Sequence, residues 1–193
     1  MFLQSFALCK LKGGAAIKSY TLTRCAFLAA LLCVCAWISI PVGDISITLQ
    51  TFALFLTLSL LGGKQGSLVC FVYLLLGAVG LPVFSGFRGG IGILLGATGG
   101  YLFGFLAAAL LYWLITFCFG TSFAVRFIAM LAGLTLCYTS GTLWFQFAFL
   151  QSASRLSIGL ILIKCVLPYV LPDLIKLTAA LLLSNRIRRH IDF

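Results

Sequence analysis

Residues 89–125 read GGIGILLGATGGYLFGFLAAALLYWLITFCFGTSFAV and contain no charged side chain. As a single helix this stretch would be about 55 Å long at 1.5 Å per residue, whereas crossing a hydrocarbon layer about 30 Å thick takes roughly 20 residues. The run Gly120-Thr121-Ser122 combines a helix stop with a helix N-cap. The stretch therefore predicts two consecutive membrane-spanning helices, the first of which ends near Phe119.

The composition of the rest of the chain supports the same class of protein. Of the 193 residues, 63% are hydrophobic and 8% are charged, whereas soluble domains keep about 25% charged residues. The three acidic residues are Asp44, Asp173 and Asp192. A surface with so few charges faces lipid, so we expect one integral membrane domain over residues 1–193. The net charge of +10 lies in end segments and connections without interleaved aromatic residues, which predicts no nucleic-acid partner.

The remaining charges and turn residues divide the chain into helical spans. We predict an all-α integral membrane protein with six transmembrane helices and short loops. The predicted spans cover residues 23–40, 47–61, 67–82, 91–119, 123–149 and 172–187. Basic segments flank them at residues 1–20 and 185–193.

The course of the chain before the last span has two interpretations. Residues 156–184 could form one helix kinked at Pro168 and Pro172, or residues 154–166 could form a short interfacial segment before a span that starts at Pro172. We prefer the second, because proline suits the first helical turn, where its missing N–H is not needed. An aspartate in the first turn, Asp173, also interacts favourably with the helix dipole.

The distribution of basic residues predicts the orientation in the membrane. With the N-terminus in the cytoplasm, nine Lys and Arg residues fall on the cytoplasmic side and three, Arg88, Arg155 and Lys164, on the outer side. Six spans return the C-terminus to the cytoplasm. Asp44, Arg88 and Asp173 are then all expected near the outer face.

Asp173 and Lys176 are the candidate pair for binding chemistry, since their spacing places them on one helix face. An ionisable group at the membrane centre costs about 2.5–3.5 kcal/mol on insertion scales. The two side chains could form an ion pair that only neutralises their charges, or they could face a cavity and bind a polar ligand. We favour the cavity, because this pair is nearly the only charge inside the apolar region.

Other polar side chains are further candidates for ligand contact. They are Thr48, Gln50 and Thr51 at the start of the second span, and the tyrosines Tyr73, Tyr101 and Tyr138. A tyrosine at a membrane interface is more often part of an aromatic belt. Each therefore stays a candidate until its position is known.

Small residues recur at helical spacing in two spans. In the fourth span they are Gly92, Gly96, Gly100 and Gly104. This stripe predicts close helix–helix packing, a ligand groove, or both at different ends. In the first span, Ala26 and Ala30 form a second small pair that could let a helix of another subunit approach.

Motifs for catalysis are missing from the sequence. Gly63-Lys64 is followed by Gln65 and does not form a phosphate-binding loop, and no HExxH motif occurs. The one histidine, His190, lies in the basic tail, and the eight cysteines lack metal-ligand spacing. We therefore predict no enzymatic activity, no cofactor and no metal site, and we interpret the cysteines as small buried side chains.

Several ordered blocks of sequence resemble one family, BioY, whose members are the biotin-binding S components of energy-coupling factor (ECF) transporters. The blocks are Ile47–Thr51, Tyr73–Ala78, Gly80–Phe84, Gly96–Phe105 and Pro168–Lys176. The chain departs from the family where Ala97 replaces a usual proline and Leu171-Pro172 replaces a usual Pro-Gly.

The resemblance implies a six-helix ECF S-component fold in the bacterial cell (inner) membrane, with biotin held near the outer face. It also implies an ECF transmembrane coupling subunit and two cytoplasmic ATPases as partners. The pair Ala26 and Ala30 matches the place of the partner-docking surface on the first helix of such proteins.

For biotin we predict that Asp173 accepts from a ureido N–H and that Lys176 donates to the ureido carbonyl. Arg88 would meet the carboxylate, and Tyr73 and Tyr101 would wall the bicyclic ring. Two other classes stay open at this point. One is a stand-alone proton-coupled carrier of a small carboxylate or vitamin with Asp173 as its proton site. The other is a membrane-embedded enzyme, which is disfavoured because the chain has too few His, Glu and Asp residues for acid–base chemistry.

Overall fold

The computed structural model describes residues 19–42, 45–149 and 166–190. Within these ranges the chain forms seven helices and one β-hairpin. The helices are α1 (Ser19–Trp37), α2 (Gln50–Leu61), α3 (Gly63–Ala78), α4 (Ile91–Leu94), α5 (Gly99–Phe119), α6 (Phe123–Phe149) and α7 (Leu167–His190). The hairpin consists of the antiparallel strands β1 (Ser39–Val42) and β2 (Ile45–Thr48).

Four helices of the described ranges, α1, α5, α6 and α7, are long and apolar enough to cross a membrane. Two apolar helices are shorter, α2 with 12 residues and α3 with 16. Large apolar side chains such as Phe117 and Phe119 are exposed on the outside of the bundle, which suits contact with lipid. The prediction of a helical membrane protein is thereby confirmed, whereas the count of six spans stays a prediction.

The hairpin between α1 and α2 changes two predicted boundaries and adds a small sheet to the predicted all-α fold. Ile40 pairs with Ile47 and Ser39 pairs with Thr48, so the helix predicted from residue 47 begins only at Gln50. The β-branched residues in these two short runs favour extended backbone. The hairpin closes the connection at one end of the bundle, which we call the hairpin end.

The span predicted over residues 91–119 is broken near its start. One helical turn, α4, is followed by a connection before α5 begins at Gly99. A Cβ atom on Gly99 would lie 1.8 Å from the carbonyl oxygen of Leu94. Only glycine therefore allows the chain to fold back this closely at the break.

The last helix begins earlier than the sequence predicts. α7 starts at Leu167 and continues through Pro172, whereas the predicted span starts at Pro172. Proline removes one backbone hydrogen bond from a helix, a loss that membrane helices tolerate when neighbouring groups compensate. Residues 154–165 of the predicted interfacial segment lie outside the described residues.

The glycine stripe serves helix packing along α5. A Cβ atom on Gly100 would lie 2.2 Å from Cβ of Trp144, and one on Gly104 would lie 2.6 Å from Oγ of Ser140. Both contacts are with α6, against which α5 packs along much of its length. Gly92, by contrast, has no atom near its missing side chain. The stripe thus brings two helices together at Gly100 and Gly104.

Contacts at the hairpin end connect the loop after α3 to α1. Trp37 Nε1 donates to the carbonyl oxygen of Pro82 at 2.7 Å, and the Trp37 ring stacks on Phe87 with centroids 5.0 Å apart. The backbone N–H of Leu49 donates to the carbonyl oxygen of Ile38 at 3.1 Å. These contacts hold the loop and the hairpin together above the helix ends.

Candidate functional site

A buried carboxylate lies at the hairpin end. Asp173 on α7 is 7% exposed. Its Oδ1 accepts from Thr51 Oγ1 at 2.9 Å and from Lys176 Nζ at 2.8 Å, and its Oδ2 accepts from Tyr138 OH at 2.7 Å. Because these donors belong to α2, α6 and α7, the carboxylate fixes three helices relative to one another.

Lys176 neutralises this carboxylate and is itself tied to the hairpin. Its Nζ donates to the carbonyl oxygen of Thr48 at 2.6 Å in addition to its ion pair with Asp173. A third contact, to Thr51 Oγ1 at 3.5 Å, is at the limit of a hydrogen bond. A buried charge pair needs further hydrogen bonds to offset its desolvation, and β2 supplies one of them.

The Asp173–Lys176 pair lines a pocket enclosed by α2, α5, α6 and α7, with the hairpin and the loop after α3 at its opening. Apolar and aromatic side chains form most of its wall, namely Phe84, Ile93, Leu102, Phe105, Leu134 and Tyr169. Polar side chains such as Gln50, Thr98 and Asp173 line it as well, so the site can pack against an apolar molecule and fix its orientation by hydrogen bonds.

Arg88 lies in the loop after α3 and lines the pocket at its opening. Its side chain is exposed, and its Nε donates to the carbonyl oxygen of Ser85 at 3.1 Å. This bond uses one of the five N–H donors of a guanidinium. Arg88 is thus held in place by its loop while keeping donor capacity for an anionic group.

The structure brings all but one of the sequence-predicted ligand residues to this pocket. Those that line it are Thr48, Gln50, Arg88, Tyr101, Asp173 and Lys176. Tyr101 is positioned by α6, because its ring lies against Gly141, where a Cβ atom would come within 2.3 Å of it. Contact of these residues with a ligand stays a prediction.

Tyr73 lies behind the pocket wall and is not one of the residues that line the pocket, and its predicted contact with a ligand stays a prediction. It is 1% exposed, and its hydroxyl accepts from Gln50 Nε2 at 2.8 Å and donates to the carbonyl oxygen of Val83 at 2.9 Å. Phe84 lines the pocket in its place, with its ring edge-on to Tyr73 at 5.6 Å and against Gly77 of α3. Tyr73 therefore supports Gln50 and Phe84 from behind.

We expect Tyr73→Phe to lower the free energy of unfolding by about 1–3 kcal/mol, because it leaves a buried carbonyl and a buried amide without their partner. Thermal unfolding of the purified variant in detergent measures this loss. Tyr20→Phe, at an exposed position on α1, is the matched control. Equal stability of the two variants would contradict the supporting role of Tyr73.

The sequence did not reveal the contacts among several pocket residues, and two pocket residues were not predicted. Thr51 and Tyr138 were recognised as polar candidates, but their shared contact with Asp173 was not. Tyr169 precedes Asp173 by about one helical turn on α7, so helical spacing could have identified it. Phe84 carried no comparable signal, because its position depends on the loop after α3.

Ala26 and Ala30 lie exposed on α1, and Ala29 is buried toward the core. The two exposed alanines leave a shallow surface on the outside of this helix. Their predicted role in docking a partner subunit stays a prediction.

These features define a class: a polytopic helical membrane protein with a small-molecule pocket enclosed at one end of its bundle. Comparison with known proteins identifies the family within this class. The sequence model described as the BioY family matches residues 10–193, and the chain belongs to this family.

Relatives with curated names span nearly the whole chain. A protein named biotin transporter BioY from Thermotoga maritima is 40% identical over 168 residues, which cover 87% of this chain and 95% of the relative. A probable biotin transporter BioY from Pyrococcus horikoshii is 35% identical over 173 residues, covering 89% and 98% respectively.

A solved structure has the same fold. It is a crystal structure of the S-component for biotin from an ECF-type ABC transporter, and it superposes with a TM-score of 0.78 at 29% identity. The match covers 89% of this chain and 92% of that one. The predicted resemblance to ECF S components is therefore confirmed at the level of fold and family.

Proposed function

We propose that this protein is the biotin-binding subunit (S component) of an ECF-type importer, capturing biotin with high affinity for uptake driven by partner ATPases. The observation that carries the proposal is the neutral Asp173–Lys176 pair facing an aromatic-walled pocket, with Arg88 at the opening. Membership of the BioY family and similarity to a biotin S-component structure support biotin as the ligand.

The Asp173–Lys176 pair has hydrogen-bonding positions available for the ureido ring of biotin. This ring carries two N–H donors and one carbonyl. A carboxylate offers about four lone-pair sites, and Asp173 uses three for Thr51, Tyr138 and Lys176. The fourth accepts a ureido N–H. The ureido carbonyl takes the Lys176 donor that otherwise makes the long contact to Thr51. Each such charge-assisted bond contributes roughly 1.5–3 kcal/mol.

The rest of the biotin molecule fits the remaining pocket surfaces. The apolar bicyclic ring packs against Tyr101, Phe84 and Phe105. The valerate chain extends toward the opening, where its carboxylate meets Arg88. Polar groups at the two ends of the pocket thus fix the orientation of a ligand that is apolar between them.

The orientation and the partners complete the proposal. The opposite end of the bundle carries Arg126, Arg186, Arg188 and Arg189, so it is the cytoplasmic end by the positive-inside rule. The hairpin end and the pocket then face outward, and both termini lie in the cytoplasm. An ECF transmembrane coupling subunit docks on α1 at Ala26 and Ala30, and two cytoplasmic ATPases supply the energy.

The geometry is less suited to a proton-coupled carrier. Asp173 is engaged in an ion pair with Lys176 and in hydrogen bonds from Thr51 and Tyr138, rather than standing alone as a proton site. Among the described residues Asp173 is the sole carboxylate, so no second acid there is available to receive the proton. The ion pair therefore favours passive capture of a polar ligand over proton exchange.

Equilibrium binding of labelled biotin to the purified chain in detergent tests the proposed function. We expect saturable binding near one biotin per chain that excess riboflavin and thiamine do not displace. Displacement by either vitamin, or no binding to folded protein, would reject biotin as the ligand.

The role of Arg88 is tested by comparing biotin with biotinamide, in which the carboxylate is neutral. We expect wild-type protein to prefer biotin by about fivefold, a modest factor because an exposed ion pair contributes at most about 1 kcal/mol. The variant Arg88→Gln should bind both compounds equally. A preference for biotin that persists in this variant would show that another group binds the carboxylate.

A further inference from the structure

A second polar cluster lies at the opposite end of the bundle, away from the pocket. Arg126 at the start of α6 is 7% exposed, and its Nη1 donates to Ser59 Oγ at 3.2 Å. Its Nη2 donates to Asn185 of α7. Ser59 is also bonded to Ser184, with the two Oγ atoms 2.6 Å apart. The cluster therefore joins the end of α2, the start of α6 and the end of α7.

Arg188 belongs to the same cluster. Its Nη2 donates to the carbonyl oxygen of Leu60 at 3.2 Å, and its charge interacts with that of Arg126. Tyr112 of α5 lies close enough to interact electrostatically with both guanidinium groups. Two like charges are thus held together where several helices meet.

Both arginines have donors that the described residues leave unused. The Nε of Arg126 and the Nε of Arg188 are buried and have no hydrogen-bond partner in the described ranges. Their bonds are to neutral groups, and the described part of the chain contains no carboxylate at this end. Since a buried positive charge needs an anion or full hydrogen bonding, the cluster is complementary to an anionic group.

The depth of the cluster indicates the kind of anion. It lies where α2 ends, where α6 begins and in the last turns of α7, which is the level of lipid headgroups for helices that cross a membrane. Lys64, Arg186 and Arg189 add positive charge near the same end. Guanidinium groups bind phosphate oxygens with paired N–H donors.

We propose that Arg126 and Arg188 form a binding site for a phosphate group, supplied by the headgroup of an acidic membrane lipid. The site is separate from the biotin pocket and holds together the ends of α2, α6 and α7. It acts as a structural anchor in the headgroup layer, and it does not depend on which molecule the pocket binds.

The test is native mass spectrometry of the full chain with dioleoylphosphatidylglycerol or dioleoylphosphatidylcholine added to the detergent. We expect the wild-type protein to retain phosphatidylglycerol selectively. Arg188→Gln should lower this retention by about tenfold, in line with the loss of one charge-assisted contact. Arg186→Gln, which removes the same charge from an exposed position on the same helix, is the matched control and should retain the lipid.

Thermal unfolding separates the sources of the phosphate. Stabilisation by the acidic lipid that is lost in Arg188→Gln supports the proposed source, and equal stabilisation by inorganic phosphate alone supports the site but assigns it to free phosphate. Equal effects of the two arginine variants would overturn the proposal. So would destabilisation by Asp192→Asn without any response to phosphate, which would assign the site to the chain's own carboxylate.

Biotin binding serves as the independent readout for these variants. We expect Arg188→Gln to bind biotin like wild type, because the cluster lies at the end away from the pocket. A failure of biotin binding in wild-type protein would reject the proposed function and leave the lipid result unaffected.

Discussion

Replacing Asp173 by asparagine is expected to lower the affinity for biotin by about 100-fold or more. The carboxylate accepts from Thr51, Tyr138 and Lys176 at once. An asparagine side chain has a single acceptor oxygen and brings an NH₂ group that faces one of these donors. The charge-assisted bond to the ureido N–H contributes roughly 1.5–3 kcal/mol, and Lys176 loses the carboxylate that aligns it for the ureido carbonyl. Each 1.4 kcal/mol is a factor of about ten in affinity.

Isothermal titration with biotin measures this loss, and thermal unfolding shows whether the variant is folded. Thr178→Val is the matched control, because Thr178 is exposed on the same helix and bonds only to the carbonyls of its own helix in the described structure. Tyr138→Phe, which removes one of the three donors, should cost about tenfold. Unchanged affinity in folded Asp173→Asn protein would remove Asp173 from the binding site.

The second large effect is expected at the contact between α5 and α6. We expect Gly100→Ala to lower the free energy of unfolding by about 3 kcal/mol, the upper part of the range for overpacking. The new methyl carbon would lie 2.2 Å from Trp144 Cβ and 3.0 Å from the carbonyl oxygen of Ser140. Relief requires the helices to separate, which disturbs the hydrogen bond of 2.9 Å from Trp144 Nε1 to the carbonyl oxygen of Gly96.

Gly92→Ala provides the control for this substitution. It adds the same methyl group two stripe positions earlier, where nothing lies within 4 Å. Thermal unfolding in detergent should show a lowered midpoint for Gly100→Ala and little change for Gly92→Ala. Equal midpoints would show that α5 and α6 adjust to the added volume without loss of stability.

Sequence reasoning worked where a single physical constraint dominates. Residues 89–125 carry no charge and cannot form a helix that faces water. The membrane class and the break near Gly120 therefore follow from the sequence. Asp173 and Lys176 were identified because charges are so rare in the apolar region, and the structure places both in the pocket wall. Features with a large energetic cost, such as charges in an apolar segment, can be recognised from the sequence without knowledge of tertiary contacts.

The sequence was less informative where tertiary contacts choose between alternatives. The short run at Ile47 and Thr48 is compatible with a strand as well as with a helix. It forms a strand because it pairs with β1. Tyr73 could point toward a ligand or toward a backbone carbonyl. The choice depends on where the loop after α3 places Val83, and no local pattern encodes that position.

The charges that line the pocket also determine how it responds to an electric field. Asp173 and Lys176 cancel each other, which leaves Arg88 as the remaining formal charge among the described lining residues. In the proposed complex, the biotin carboxylate cancels that charge as well. Membrane voltage acts on net charge, at about 2.3 kcal/mol per elementary charge per 100 mV. In the proposed complex the occupied pocket therefore carries no net formal charge, so the membrane voltage exerts no net force on the pocket and its ligand.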